Sequence, residues 1–339
     1  MNEVNLPGSS ASPDATEAAN VEVLFLNVGQ GDSTLVVDYS TKEAILIDCP
    51  GGREHVVEQA LSDRGCKLAV ALITHWDLDH FGGIIGVLDQ CGTKTLRFNH
   101  ETLLAHGNQG RVLATLRRLR DQRYNHIEFS DARQGLVGTV GAVRFELLAP
   151  SYRQLLFAVS SFDRNLASGV VAIEANGTRV LVGGDADGRV WSRILSEGIS
   201  VRSDFLKWPH HGAMRHTERH VDDQELLDAV EPSLVIFSAG SHNRYGHPLP
   251  STVRLVANNN TDVICTQVTE RCHSGLHEAD TPCAGTVSLM LSPGGRVTRS
   301  PNGHRLAGLI DGWTQPLCRP ATANPNLTGF VEGEDALVN

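Results

Sequence analysis

Four metal-compatible side chains, His75, Asp77, Asp79 and His80, fall within the run Thr74-His75-Trp76-Asp77-Leu78-Asp79-His80-Phe81-Gly82-Gly83. Imidazole nitrogen and carboxylate oxygen together suit divalent first-row cations. The run follows the apolar segment LAVALIT, so it lies at the end of a buried strand, where α/β folds place their sites. Alternation along the loop sends His75 and Asp77 toward one ion, and Asp79 and His80 toward a neighbour. Gly82 and Gly83 let the backbone turn tightly into a following helix. One His beside one Asp reads as ordinary loop polarity. The pattern H-x-D-x-D-H closed by Gly-Gly reads as a metal centre.

That run resembles the H-x-H-x-D-H signature of the metallo-β-lactamase superfamily, with Asp77 in the second His position. Four more segments, in the same order, are similar to the hydrolase domain of ComEC-type competence proteins. They are Asn27-Val28-Gly29-Gln30-Gly31-Asp32-Ser33, Val182-Gly183-Gly184-Asp185, Leu206-Lys207-Trp208-Pro209-His210-His211-Gly212, and Ser238-Ala239-Gly240 with Asn243-Arg244-Tyr245-Gly246-His247-Pro248. Asn27 and Gly183 depart from that pattern, neither at a ligand position. No segment matches the membrane channel of those proteins, so DNA import is not implied.

The resemblance implies an α/β protein with a four-layer αβ/βα sandwich, the metallo-β-lactamase fold, and a metal site at one edge. It implies two divalent ions, Zn²⁺ or Mn²⁺, held by His75, Asp77, Asp79, His80, Asp185 and His211. Asp185 would bridge them from a separate strand. His210 and His211 are adjacent on an extended segment and should point oppositely, and His211 is preferred as the ligand. Asp32 and Asp48 would accept hydrogen bonds from ligand imidazoles. A third His for the first ion has no clear source, because His100, His106 and His126 precede the expected strand. Asn165 and Ser168 occupy that place, in a segment similar to the N-x-x-S of the ComEC branch. Asp77 makes the site oxygen-rich, which leans toward Mn²⁺.

The implied reaction is in-line attack by a metal-bridged hydroxide on a phosphodiester of DNA or RNA, with Asp79 and Asp185 in the catalytic set. His247 would protonate the leaving oxygen or bind a phosphoryl oxygen, and Asn243 and Tyr245 would position the same group. His210, Asn165 and Ser168 complete the expected substrate side. The alternative is a metallo-hydrolase of a small ester, thioester, phosphorylcholine or lactam. An inert scaffold is disfavoured by the intact ligand set. Partner proteins of a competence or defence system fit the same resemblance.

Other residues carry weaker signals. Cys265, Cys272, His277 and Cys283 are zinc-compatible but irregularly spaced, and suggest a small structural Zn²⁺ site or free thiols; His273 and Cys318 lie nearby and further on. Arg111, Arg117, Arg118, Arg120 and Arg123 on a helix over 111–123 could form a cationic track or a solvated face. Trp76 and Trp208 could stack a base or wall the pocket.

The elements that must position these residues are legible in outline. VEVLFLNV, STLVVDY, EAILIDC, LAVALIT, AVRFELLAP, GVVAIEA, TRVLVGGD, DFLKWP, SLVIFSAG, TDVICTQV and GTVSLML read as strands, with Asn176-Gly177 as a hairpin turn. Helices are read over 54–62, 84–88, in DGRVWSRIL and in QELLDAV. The expected organisation is a disordered tail over 1–20, one domain over 21–298 and an irregular extension over 299–339. The 339 residues are 41% hydrophobic, enough for an ample core. A net charge of −10 argues against broad adhesion to nucleic acid or anionic membrane, although acidic ligand clusters inflate that count. No apolar run reaches the ~18–20 residues of a membrane helix and the start lacks a leader pattern, so a soluble, cytoplasmic protein without a membrane partner is expected, its seven cysteines reduced.

Overall fold

The computed structural model describes residues 20–99, 109–214, 218–270, 272, 282–301 and 317–318. Alternation of apolar residues along the strands divides them between an inner and an outer face. In β1 (Val21–Phe25), Val21, Val23 and Phe25 join the core between two sheets, while Leu24 joins the core under the helices outside. The first sheet runs from β15 (Arg296–Ser300) through β14 (Val287–Ser292), β1, β2 (Thr34–Asp38), β3 (Glu43–Ile47), β4 (Lys67–Leu72) and β5 (Thr95–Phe98) to β6 (Glu128–Asp131). The second runs from β13 (Asp262–Cys265) through β12 (Leu234–Phe237), β11 (Phe205–Lys207), β10 (Thr178–Val182), β9 (Val170–Ala175) and β8 (Val143–Ala149) to β7 (Val137–Val140).

Helices Glu54–Arg64, Ile84–Gln90 and Gln109–Leu119 cover the outer face of the first sheet. Helices Tyr152–Ser161, Gly188–Ser196, Asp223–Val230 and Pro250–Asn258 cover that of the second. Three apolar clusters, one between the sheets and one under each helical layer, hold this four-layer αβ/βα sandwich together. Each fully buried aliphatic side chain contributes roughly 1.5–3 kcal/mol. Among the described residues no helix is long and apolar enough to cross a membrane.

Parallel pairing decides where the site forms. β3 to β6 pair in parallel, as do β10 to β13. The loops leaving β3, β4, β10, β11 and β12 therefore gather at one edge, bringing Asp48, His75–His80, Asp185, His210–His211 and Ser238 with them.

Some elements differ from the sequence reading. The last described strand, β15, pairs with β14 as far as Ser300 opposite Ser288, two residues beyond the expected boundary at 298. Helices Tyr152–Ser161 and Pro250–Asn258 were hidden in the sequence: the first leaves Tyr152, Leu156 and Phe157 exposed, which blurs its apolar stripe. The arginine-rich helix ends at Leu119, and Arg118 and Arg123 reach Asp89 at 2.9 and 3.4 Å, a solvated, ion-paired face. Trp76 and Trp208 are buried and wall the core, so neither can stack a base. Residues 1–19, 302–316 and 319–339, on which the tail readings fall, lie outside the described residues, as do His100, His106, His273 and His277.

Candidate metal centre

Close backbone approach builds the edge. Gly31 has φ 129°, and a Cβ there would stand 2.6 Å from the Asp79 carbonyl oxygen, the same oxygen that accepts from Asp32 N at 3.0 Å. Gly184, at φ 52°, would set a Cβ 2.5 Å from Ser168 Oγ, which accepts from Asp185 N at 2.8 Å. Only glycine tolerates both the conformation and the crowding.

Asp185 sits at the focus. Its Oδ1 is 3.2 Å from His80 Nε2 and 3.8 Å from His211 Nε2, and its Oδ2 is 3.6 Å from His75 Nε2 and 3.8 Å from His210 Nε2. Asp79 Oδ2 lies 3.6 Å from His211 Nε2. Two groups bring one ligand atom per residue within 4.8 Å of one another: His75, His80 and Asp185, and Asp79, His80 and His211. One Nε2 serves one cation, so His80 belongs to one group or the other when both are filled.

Two aspartates hold the imidazoles from behind. Asp48 Oδ2 accepts from His80 Nδ1 at 2.8 Å and from Thr74 Oγ1 at 2.6 Å, while its Oδ1 accepts from Thr74 N at 2.8 Å. Asp32 Oδ1 is 3.2 Å from His211 Nδ1, the Ser238 carbonyl is 3.1 Å from the same nitrogen, and Asp32 Oδ2 accepts from Lys207 Nζ. Each Nδ1 is thereby engaged from behind, and each Nε2 faces the centre.

The Nε2 atoms of His75, His80 and His211 and the Oδ1 of Asp185 are buried without a hydrogen bond. Buried polar atoms are nearly always satisfied, and divalent cations at the two groups would satisfy all four. The electrostatics agree. Burial alone would raise Asp185, but His80, His211 and His75 hold it well below the usual carboxylate range. Burial would lower His80 and His211; Asp185 and Asp48 push the first well up, and Asp32 and Asp185 push the second to about 10. Such an anionic box draws positive charge, and the residues fit divalent metal.

Other expected site residues fall differently. Asp77 belongs to neither group: Arg164 pairs with its Oδ1, and its Oδ2 lies 3.5 Å from His75 Nε2. The segment carrying His210 and His211 is not extended. Both residues are left-handed, at φ 52° and 54° in a tight turn, so both rings approach Asp185. Ser168 is fully buried behind the centre, where its hydroxyl positions Asp185 rather than meeting substrate. Asn243 spends its amide on the loop, accepting from His247 N at 2.8 Å and donating to the Gly240 and His247 carbonyls at 2.9 and 2.7 Å. His126 is exposed away from the centre. The sequence reading missed Thr74, Lys207 and Arg164. A lysine inside the apolar strand DFLKWP was the available signal for one of them.

The centre floors a cleft of about 870 Å³. Phe162, Arg164 and Asn165 line one wall, and Arg244, Tyr245 and His247 another. The His247 ring lies 5.4 Å from that of His210 and 6.2 Å from that of His211.

Residues 26–151 match the metallo-beta-lactamase superfamily model. With the four-layer sandwich and the His/Asp edge site, this match gives the chain the metallo-β-lactamase fold. The chain is similar to ComE operon protein 3 of Bacillus subtilis (strain 168), at 25% identity over 263 residues, 72% of this chain and 32% of the relative. The chain thus spans about a third of that relative's length. It is also 35% identical over 71 residues, 19% of this chain and 21% of the relative, to an atrochrysone carboxyl ACP thioesterase of Pseudocercospora fijiensis (strain CIRAD86). Among solved structures, Igni18, a metallo hydrolase of Ignicoccus hospitalis KIN4/I, matches at 16% identity over 72% of this chain and 94% of its own, with a TM-score of 0.43.

Proposed function

We propose that this superfamily hydrolase is a metal-dependent phosphodiesterase, a nuclease acting on DNA or RNA. The observation that carries this reading is the pairing of walls around the centre. Each brings an arginine and an exposed aromatic to the cleft: Arg164 with Phe162, 71% exposed, and Arg244 with Tyr245, 54% exposed. Arg244 lies 4.8 Å over the Tyr245 ring and donates to its hydroxyl at 2.6 Å. Guanidinium groups suit phosphate, and exposed rings suit nucleobases. In a chain of net charge −10, two arginines at the cleft supply the local attraction a polyanion needs. The similarity to a ComE operon protein supports the same reading.

Asp79, His80 and His211 would hold one cation, His75 the other, with Asp185 against both. Divalent metal held there would supply a nucleophilic water at neutral pH and offset charge on the phosphoryl oxygens. The chain's own groups do the rest. Arg164 and Arg244 orient the phosphodiester between the walls. His247, its backbone fixed by Asn243, gives a proton to the leaving oxygen. Thioester hydrolysis is the second reading, favoured by the short similarity to a thioesterase, but it gives the two arginines no task.

The test is hydrolysis of single- and double-stranded DNA, RNA, bis-p-nitrophenyl phosphate and an acyl thioester, with Mn²⁺, Zn²⁺ or chelator. Metal-dependent phosphodiester cleavage is expected, falling at least ~100-fold in Asp185→Ala. Undiminished cleavage in that variant, or turnover of the thioester alone, would overturn the reading.

A further inference from the structure

Among the described residues, half of the large apolar side chains left exposed belong to one helix, Tyr152–Ser161, and to the Phe162 that ends it. Helical spacing makes this so. Leu155 and Ala158 turn into the core beneath, with Gln154 buried beside them, while Tyr152, Leu156, Phe157 and Val159 fall on the outer faces. An exposed apolar face of this kind marks a contact surface.

The face runs into the cleft. Arg153, Phe157 and Ser161 are spaced four apart and follow one another along a single stripe of the helix. Ser161 and Phe162 line the cleft, and Ser161 Oγ donates to the Phe157 carbonyl at 2.6 Å. Phe162 is left-handed, at φ 54°, which turns the chain off the helix with its ring exposed on the cleft wall. At the far end the Arg153 guanidinium lies 5.6 Å from the centre of the Phe157 ring, the pairing that Arg244 makes with Tyr245 on the other wall. The helix holds no acidic residue, and Asp163, the first beyond it, is paired with Arg189. A polyanion therefore meets an arginine and no carboxylate on this helix.

We propose that the outer face of helix Tyr152–Ser161 is a stacking track for unpaired bases of the strand whose phosphodiester lies in the cleft. On the phosphodiesterase reading of the cleft, on which this rests, the substrate is then a polynucleotide with unpaired bases. Every base has a π-face, and exposed rings beside a guanidinium accept one without sequence preference. From Arg153 to Ser161 the helix rises about 12 Å, the length of roughly three stacked bases. In a duplex those π-faces are covered by neighbouring base pairs, so a strand that has lost its complement is the one that can use the rings. Phe162 takes the base beside the reacting phosphodiester, Phe157 one further along, and Tyr152 stands at the outer end.

The test is fluorescence anisotropy of labelled (dT)12, and of its duplex with (dA)12, on the full chain carrying Asp185→Ala, which stops cleavage. The strand is expected to bind at least ~10-fold more tightly than the duplex, and Phe157→Ser should weaken it by roughly 5–100-fold. Phe157→Trp should restore the affinity, whereas Phe157→Leu, which keeps the apolar bulk without the π-face, should behave like the serine variant. Circular dichroism reports folding, and Tyr152→Ser, at the other end of the helix, replaces Phe157→Ser if that variant does not fold. Strand binding that ignores both serine variants overturns the track. So does full binding in Phe157→Leu, a duplex bound as tightly as the strand, or a dimer or attachment to phosphatidylglycerol vesicles that Phe157→Ser abolishes. Hydrolysis of bis-p-nitrophenyl phosphate by the metal-loaded, unsubstituted chain separates the two readings. With it, a failed strand measurement overturns the track alone; without it, the phosphodiesterase reading falls as well.

Discussion

On one side of Asp185, His80 and His211 are each backed by a buried carboxylate, Asp48 at 2.8 Å and Asp32 at 3.2 Å. On the other side, His75 Nδ1 meets only the hydroxyls of Thr74 and Ser168, at 3.1 and 3.4 Å, and the neighbouring Asp77 is engaged by Arg164. A carboxylate behind an imidazole fixes its ring and raises its basicity. The Asp79–His80–His211 side is thus fully furnished with oriented ligands, and the His75 side is sparse and open to the cleft. On the proposed function, with a cation on each side, the contrast predicts unequal affinities, the tighter on the Asp79–His80–His211 side.

The furnished side itself uses two devices. Asp48 is held by a backbone amide and a hydroxyl, whereas Asp32 is held by the buried ammonium of Lys207. Burial would raise Asp32, but the Lys207 and His211 charges hold it well down. The largest expected effect follows. Lys207→Met strands a buried carboxylate and should cost about 3–5 kcal/mol in denaturant unfolding. Adding Asp32→Asn should restore part of that, and an unaltered midpoint in the single variant would deny the ion pair its role.

A smaller effect separates the two sides. Asp48→Asn should weaken the tighter cation by about 10–100-fold in calorimetric titration. Ser168→Ala, which removes no carboxylate from behind His80 or His211, should change that step less. Equal losses in both variants would erase the distinction between the halves.

The smallest effect comes from a carboxylate outside the centre. Glu22 accepts from Arg64, Ser288 and Tyr39; burial would raise it, yet these partners lower it. A depressed carboxylate stabilises the fold above its ordinary value and loses that contribution as pH falls. Glu22→Gln should therefore cost about 1 kcal/mol at neutral pH, with the gap to the parent closing below about pH 4 and metal binding untouched. A gap that persists into acid would show that packing, not charge, is lost.

The sandwich was legible because its strands alternate or run apolar and end in turns. The run from His75 to His80 was legible because its side chains share one loop. Asp185 and His211 entered only through family resemblance, since they reach the centre from the second sheet and no local period links them to the first. Lys207 pairs with Asp32, and Arg164 with Asp77, across the sandwich edge, and no local pattern encodes such pairings. Arg164 bears directly on the centre, because it pairs with one oxygen of the carboxylate that the loop pattern assigns to a metal, while the other oxygen faces His75. The turn at His210–His211 also defeated alternation, because two successive left-handed residues bring both rings to one side.

The most direct measurement is a Mn²⁺ titration of the chelated protein, followed by calorimetry and by hydrolysis of bis-p-nitrophenyl phosphate in parallel. Two unequal binding steps are expected, with hydrolysis rising as the second, weaker step fills and both steps lost in Asp185→Ala. Two equal steps, hydrolysis complete at the first, or binding without hydrolysis would contradict the account.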